Sequence, residues 1–227
     1  MKISLCARPA RIAVVALTVS GLVFVGGVGN LQAYFSVSKD SFSISNAPGW
    51  CFAMAAFSRW YYLSNQGGPA LREVLDKKAQ RRIAKELQRF YSKHLVTLQA
   101  NYCNRNRGDD SVSYRRLHAR LLLGEPHLVL LMNKGRRGAV LHAVLAYDWL
   151  PERNLLKVYD PNYCNEVRYL DLERGEYTSL NITYHAICFP EVLHNNPSLV
   201  RKMQSLFHTY LAKKHALTPR VVQMRAR

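Results

Sequence analysis

Acidic residues are what this sequence has least of. Fifteen Asp and Glu stand against 32 Lys and Arg, a formal net charge of +17. None lies before residue 34 or after Glu191, and residues 71–95 hold eight basic side chains against three acidic ones. Such a field attracts anionic surfaces: phospholipid headgroups, nucleic acid or acidic polymers. The plainer alternative is a set of solvated basic helix faces. Cysteine is also sparse. Five in 227 residues exclude a disulfide-built scaffold, and with no Cys-x-x-Cys and no His-Glu-x-x-His a zinc site has no support. No Gly-rich phosphate loop, zinc finger or alternation of aromatic and basic residues is present, which speaks against nucleic acid as the partner. No internal repeat and no low-complexity segment occurs.

What is present begins with a leader. Ile12 to Gly29 is an uncharged run, with Lys2, Arg8 and Arg11 before it and Ala33 as a cleavage point after it. This resembles a bacterial secretory signal over residues 1–33. The run also reaches spanning length, so an uncleaved anchor through residues 12–29 is the alternative, and a buried element the third reading. The first two send residues 34–227 across the membrane, making the protein exported, secreted or periplasmic. With Cys6 in the leader, export permits one bridge among Cys103, Cys164 and Cys188 and leaves Cys51 free. At 48% hydrophobic residues, the remainder suffices for one domain.

Periodicity divides that domain in two. Residues 34–48 read as a polar surface lead-in. A helix is expected from Cys51 to about Ser64, ended by Asn65-Gln66-Gly67-Gly68-Pro69. A second, amphipathic helix starts at Leu71, with Leu75, Ala79, Ile83, Leu87 and Tyr91 on one face and the basic stripe on the other. Residues 101–112 read as a polar loop and Tyr114–Leu123 as a short helix. Strands are expected at His127–Met132, Val140–Tyr147, Leu155–Asp160, Val167–Leu170 and Asn181–Phe189, with a hairpin loop at 133–138. A closing helix from Pro197 buries Leu199, Met203, Leu206 and Tyr210. A helical half followed by antiparallel strands makes the fold class α+β.

Three segments carry chemistry. The turn Pro48-Gly49 delivers Cys51 to a helix start, where the unpaired backbone N–H groups favour a thiolate. His142 interrupts the apolar run Val140–Tyr147, where an imidazole needs a partner or a cleft. Asp160 ends the next strand before Pro161 and suits the role of holding that imidazole in one tautomer. Each alone has an ordinary reading: a buried thiol, a satisfied core histidine, a turn. In this order and spacing they form a nucleophile, a base and its orienter. His185, in a later strand-like run, reads as structural. Trp50 and Asn162 are cleft candidates, and Tyr163 and Cys164 adjoin the same rim.

Gly49-Trp50-Cys51-Phe52-Ala53-Met54, His142-Ala143-Val144 and Tyr159-Asp160-Pro161-Asn162, in that order, resemble the papain-like cysteine peptidase superfamily. The compact bacterial branches are the nearest likeness: secreted effector proteases and bacteriocin-leader peptidases. The resemblance spans residues 44–190. It implies a papain-like fold with a nucleophile helix on a sheet, Cys51 as nucleophile, His142 as general base and acid, and Asp160 as orienter. Many such enzymes complete the oxyanion hole with a glutamine shortly before the cysteine. None lies between Gln32 and Cys51, so Asn46 is the candidate, beside the Cys51 backbone N–H. The expected function is hydrolysis of peptide or isopeptide bonds through a thioester, on a protein or peptide substrate, with no cofactor. The alternatives are a silent module binding an anionic partner, such as a membrane surface or an acidic protein, and a thiol acyltransferase or transglutaminase-like enzyme.

Overall fold

The structure, a computed structural model, describes residues 34–47, 49–105, 110–132 and 140–225. All belong to one compact unit. The leader and the 133–138 loop expected from the sequence lie outside the described residues.

The lead-in is not a surface coil. It forms one helical turn, α1 (Val37–Asp40), and buries Phe35, Val37, Phe42 and Ile44. Its serines make it look polar, yet its apolar residues recur often enough to pack. Helix α2 (Cys51–Ser64) follows with the expected bounds, and Phe52 to Tyr62 are buried without a break. A helix this apolar must be enclosed, and even its Arg59 is buried, giving its guanidinium to Pro126 O and His194 O.

The single helix expected from Leu71 is two. In α3 (Leu71–Val74) the chain stops where Leu75 becomes extended. It restarts as α4 (Lys77–His94), capped by the Asp76 carboxylate, which accepts the Ala79 N–H at 2.7 Å. That cap satisfies a backbone donor an uncapped start would orphan. The apolar stripe survives the break, with Leu71, Leu75, Ile83, Leu87 and Tyr91 buried. Helix α5 (Val96–Arg105) takes the first part of the expected polar loop, and α6 (Asp110–Leu122) begins at its far end.

The second half is strand-rich: β1 (His127–Met132), β2 (Val140–Leu150), β3 (Leu155–Tyr159), β4 (Val167–Asp171), β5 (Tyr177–Ser179), β6 (Ile182–Tyr184) and β7 (Ala186–Cys188). Five form an antiparallel sheet in the order β4-β3-β2-β1-β7, while β5 and β6 form a separate hairpin. The strand expected at 181–189 therefore divides at His185, its two pieces pairing with different neighbours. A short helix, α7 (Glu191–His194), leads to the closing α8 (Pro197–Arg225), which buries Leu199, Met203, Leu206 and Tyr210 as the periodicity predicts.

Both sheet faces are covered. Leu128, Leu130, Met132, Ala143 and Leu145 pack into one core with residues of α2, α4 and α8. The alternating Val129, Leu131, Val144 and Ala146, with Leu156 and Val158 of β3, pack into a second core with Leu117 and Leu121 of α6. This is why every residue of β1 is buried and its sequence is a continuous apolar run. A disulfide between Cys103 and Cys188 ties α5 to β7 across 85 residues. The architecture is α+β.

Candidate active site

The approach to α2 is a tight turn. Gly49 takes φ +84°, a value that strains any residue with a side chain. The Trp50 N–H is shared between Ala47 O and Asn46 Oδ1, each 3.1 Å away. Cys51 is then the first residue of α2, half-buried and with a free thiol. The first intrahelical bond runs from Met54 N–H to Trp50 O, so the N–H groups of Cys51, Phe52 and Ala53 precede it. Gln88 of α4 takes the Ala53 N–H on its Oε1 at 3.2 Å.

His142 sits on β2 opposite Leu131 of β1, 2% exposed, with its ring stacked against Tyr184 at 5.8 Å. Its Nε2 lies 2.7 Å from Asp160 Oδ1. Asp160 follows the last residue of β3, the strand that pairs with β2, so one hairpin brings the two side chains together. With Nε2–H given to the carboxylate, Nδ1 is the nitrogen left for the thiol. Burial alone would push the imidazole toward neutrality. Hydrogen bonds and charge from Asp160 and Cys51 reverse that and raise its pKa to about 9. At neutral pH the ring is therefore an imidazolium, the partner that favours a thiolate.

Asp160 is fully enclosed, and burial by itself would raise its pKa. Donors outweigh it: His142 and the Asn162 N–H (2.9 Å) on Oδ1, and the Tyr177 and Ser179 hydroxyls (2.7 Å each) on Oδ2. The net effect holds the carboxyl below its usual range. Sequence reasoning missed Tyr177 and Ser179. Their signal was a two-residue alternation in Tyr-Thr-Ser, too short to read as a strand, but a buried carboxylate requires such donors. Gln88 was missed as well; a glutamine beside Leu87 on a buried helix face was the only hint.

Asn46 joins the two turns that carry the site. Its backbone N–H donates to Pro161 O at 2.9 Å, its Nδ2 to Asn162 Oδ1 at 2.8 Å, and its Oδ1 accepts from Trp50. The Asn162 bond uses one of the two Nδ2 hydrogens. Asn162 in turn donates to Ser179 Oγ at 2.9 Å. Its Nδ2 is also 3.4 Å from His142 Nε2, but both are donors here, so this is a contact and not a hydrogen bond. His185 pairs elsewhere, with Glu176 at 2.9 Å. Tyr163 accepts the Leu180 N–H on its hydroxyl, and Cys164 is a free, half-buried thiol whose pKa burial raises.

Among the described residues no group of three or more His, Cys, Asp and Glu side chains is placed to hold a metal ion, and no helix is long and apolar enough to cross a membrane. The arrangement sets a free thiol at a helix start near an imidazole whose orientation a buried carboxylate fixes. In comparisons with known proteins, no protein-family model, no curated protein and no solved structure matches this chain.

Proposed function

We propose that this protein is a papain-like thiol hydrolase that cleaves peptide or isopeptide bonds through Cys51, His142 and Asp160. The observation that supports it most is the buried His142–Asp160 pair beside a thiol at a helix N-terminus. In the first half-reaction the Cys51 sulfur bonds to the carbonyl carbon. The C–N bond breaks, and the His142 imidazolium gives its proton to the leaving amine. In the second, His142 takes a proton from water, whose oxygen bonds to the thioester carbon while the C–S bond breaks. The thiolate and the imidazolium are restored. The Cys51 backbone N–H and the second amide hydrogen of Asn46 are the donors proposed for the oxyanion.

Export is part of this reading. The bridge between Cys103 and Cys188 supports it, since structural disulfides persist in oxidising compartments. The test is turnover of a mixed peptide library read by mass spectrometry. Cleavage that disappears in Cys51→Ser and in His142→Ala supports the proposal. Cleavage that survives either substitution contradicts it.

A further inference from the structure

The turn that delivers Cys51 also walls an open depression of about 490 Å³. Gly49 and Trp50 border it on one side, and Lys85, Gln88, Arg89 and Lys93 of α4 on the other. The three cations are four residues apart, so they stack along one stripe of helix roughly 12 Å long. All three are exposed, and among the described residues no carboxylate stands within ion-pair distance of any of them. Like charges at this spacing repel each other. An anion lying between them relieves that repulsion.

The depression is coupled to the thiol. Trp50, its half-buried wall, immediately precedes Cys51, and Gln88 of its lining accepts the Ala53 N–H in the first turn of α2. An extended peptide advances about 3.3 Å per residue. A chain with its scissile carbonyl at Cys51 therefore reaches the cationic stripe within a few residues. The Arg89 guanidinium matches a carboxylate in a two-pronged geometry, and the Trp50 indole offers an apolar face for the carboxylate's methylene stem.

We infer that this depression is a subsite for acidic side chains: the substrate is a peptide segment carrying Asp or Glu within about four residues of the bond cleaved. The inference rests on the hydrolase reading for its location and names the substrate class. A peptide fits better than a membrane or a nucleic acid because the cations line a hollow beside the thiol, with an aromatic wall, and not a broad plane.

The test is binding, which needs no turnover. Full-length protein carrying Cys51→Ala is titrated with a fluorescent peptide containing paired Asp and Glu residues, and with its Asn and Gln counterpart, by anisotropy. The acidic peptide is expected to bind about tenfold tighter at low salt, with the advantage shrinking as salt rises. Lys85→Gln with Arg89→Gln removes the advantage, whereas Arg153→Gln, which deletes one exposed charge at the β2–β3 turn, keeps it. Equal binding of the two peptides, or equal loss in the Arg153 variant, overturns the subsite. So does tighter binding of phosphatidylserine vesicles or a single-stranded oligonucleotide than of the acidic peptide. Acidic preference without wild-type turnover contradicts the hydrolase alone, and turnover of peptides without acidic preference contradicts the subsite alone.

Discussion

Asn46 and Asn162 share a side-chain hydrogen bond of 2.8 Å across 116 residues of chain. With the Asn46 N–H to Pro161 O bond of 2.9 Å, it fastens the turn before the thiol to the turn after the aspartate, at the two ends of the candidate triad. Asn46→Ala removes it together with one of the two acceptors of the Trp50 N–H, and leaves the backbone bond to Pro161. We expect a stability loss of about 1–3 kcal/mol, read as a lower denaturant midpoint, and slower alkylation of Cys51 by iodoacetamide. Alkylation forms no oxyanion. If Asn46 served only as an oxyanion donor, peptide turnover would fall while alkylation stayed at the wild-type rate.

Asp160→Asn separates charge from shape. Both partners of Oδ2 are hydroxyls, which can turn to accept hydrogen bonds from an amide, so the variant keeps the fold and still presents an oxygen to His142. What it loses is the carboxylate that counters the burial penalty of the imidazolium. Wild-type activity should fall as pH rises through about 9, where His142 gives up its proton. In the variant that alkaline limb moves to lower pH, and the maximal rate drops by roughly 10²–10⁴-fold. An unmoved limb in the pH–rate profile would separate His142 from the reaction.

Stability should peak near pH 6.5. His142 binds its proton more tightly folded, near 9, than unfolded, near 6.5. Its contribution is complete below 6.5 and lost as pH rises through 9. His127 and His194 act in the opposite sense. They are buried edge-to-face, 3.7 Å between ring centroids. Burial lowers both pKa values first, with the charges of Arg59 and Arg120 adding to it, and His127 falls to about 3. Their contribution is complete above 6.5 and is lost as pH falls. Both ring nitrogens of His127 lack a partner, so His127→Phe should raise the melting temperature at pH 5 and flatten the acid side of the profile. Calorimetry across pH 4–9 reads both effects; an acid limb identical in the variant contradicts the assignment.

The disulfide closes a long loop between α5 and β7. Replacing Cys103 and Cys188 together by serine should cost about 4–5 kcal/mol, the chain-entropy value for a loop of that size. Reducing agent should do the same to the wild type. A reduced protein with an unchanged melting temperature would place the pair outside the stabilising structure.

The parts legible in the sequence were those fixed by local pattern. The predominantly apolar helix at Cys51, the runs of β1 and β2 and the Asp-Pro-Asn turn each announce themselves within a few residues. The break between α3 and α4 was also legible, since Asp76 before Lys-Lys-Ala is a helix cap, but the unbroken four-residue stripe concealed it. Other features depend on long-range contact. Nothing near Tyr177 or Ser179 points to Asp160, and spacing alone could not select Cys188 over Cys164 as the partner of Cys103. The polar text of residues 101–105 hid a helix that tertiary packing, with Cys103 bridged to β7, holds in place.

The proposed mechanism requires Cys51 to be an activated nucleophile paired with His142. A peptide-based electrophile applied at pH 6, with sites mapped by mass spectrometry, probes that pairing. Cys164 is the other free, half-buried thiol and serves as the internal reference. The pairing predicts modification of Cys51 roughly 10²-fold faster than Cys164, with the advantage abolished in His142→Ala. Equal rates at the two thiols, or an advantage that persists without His142, would contradict it.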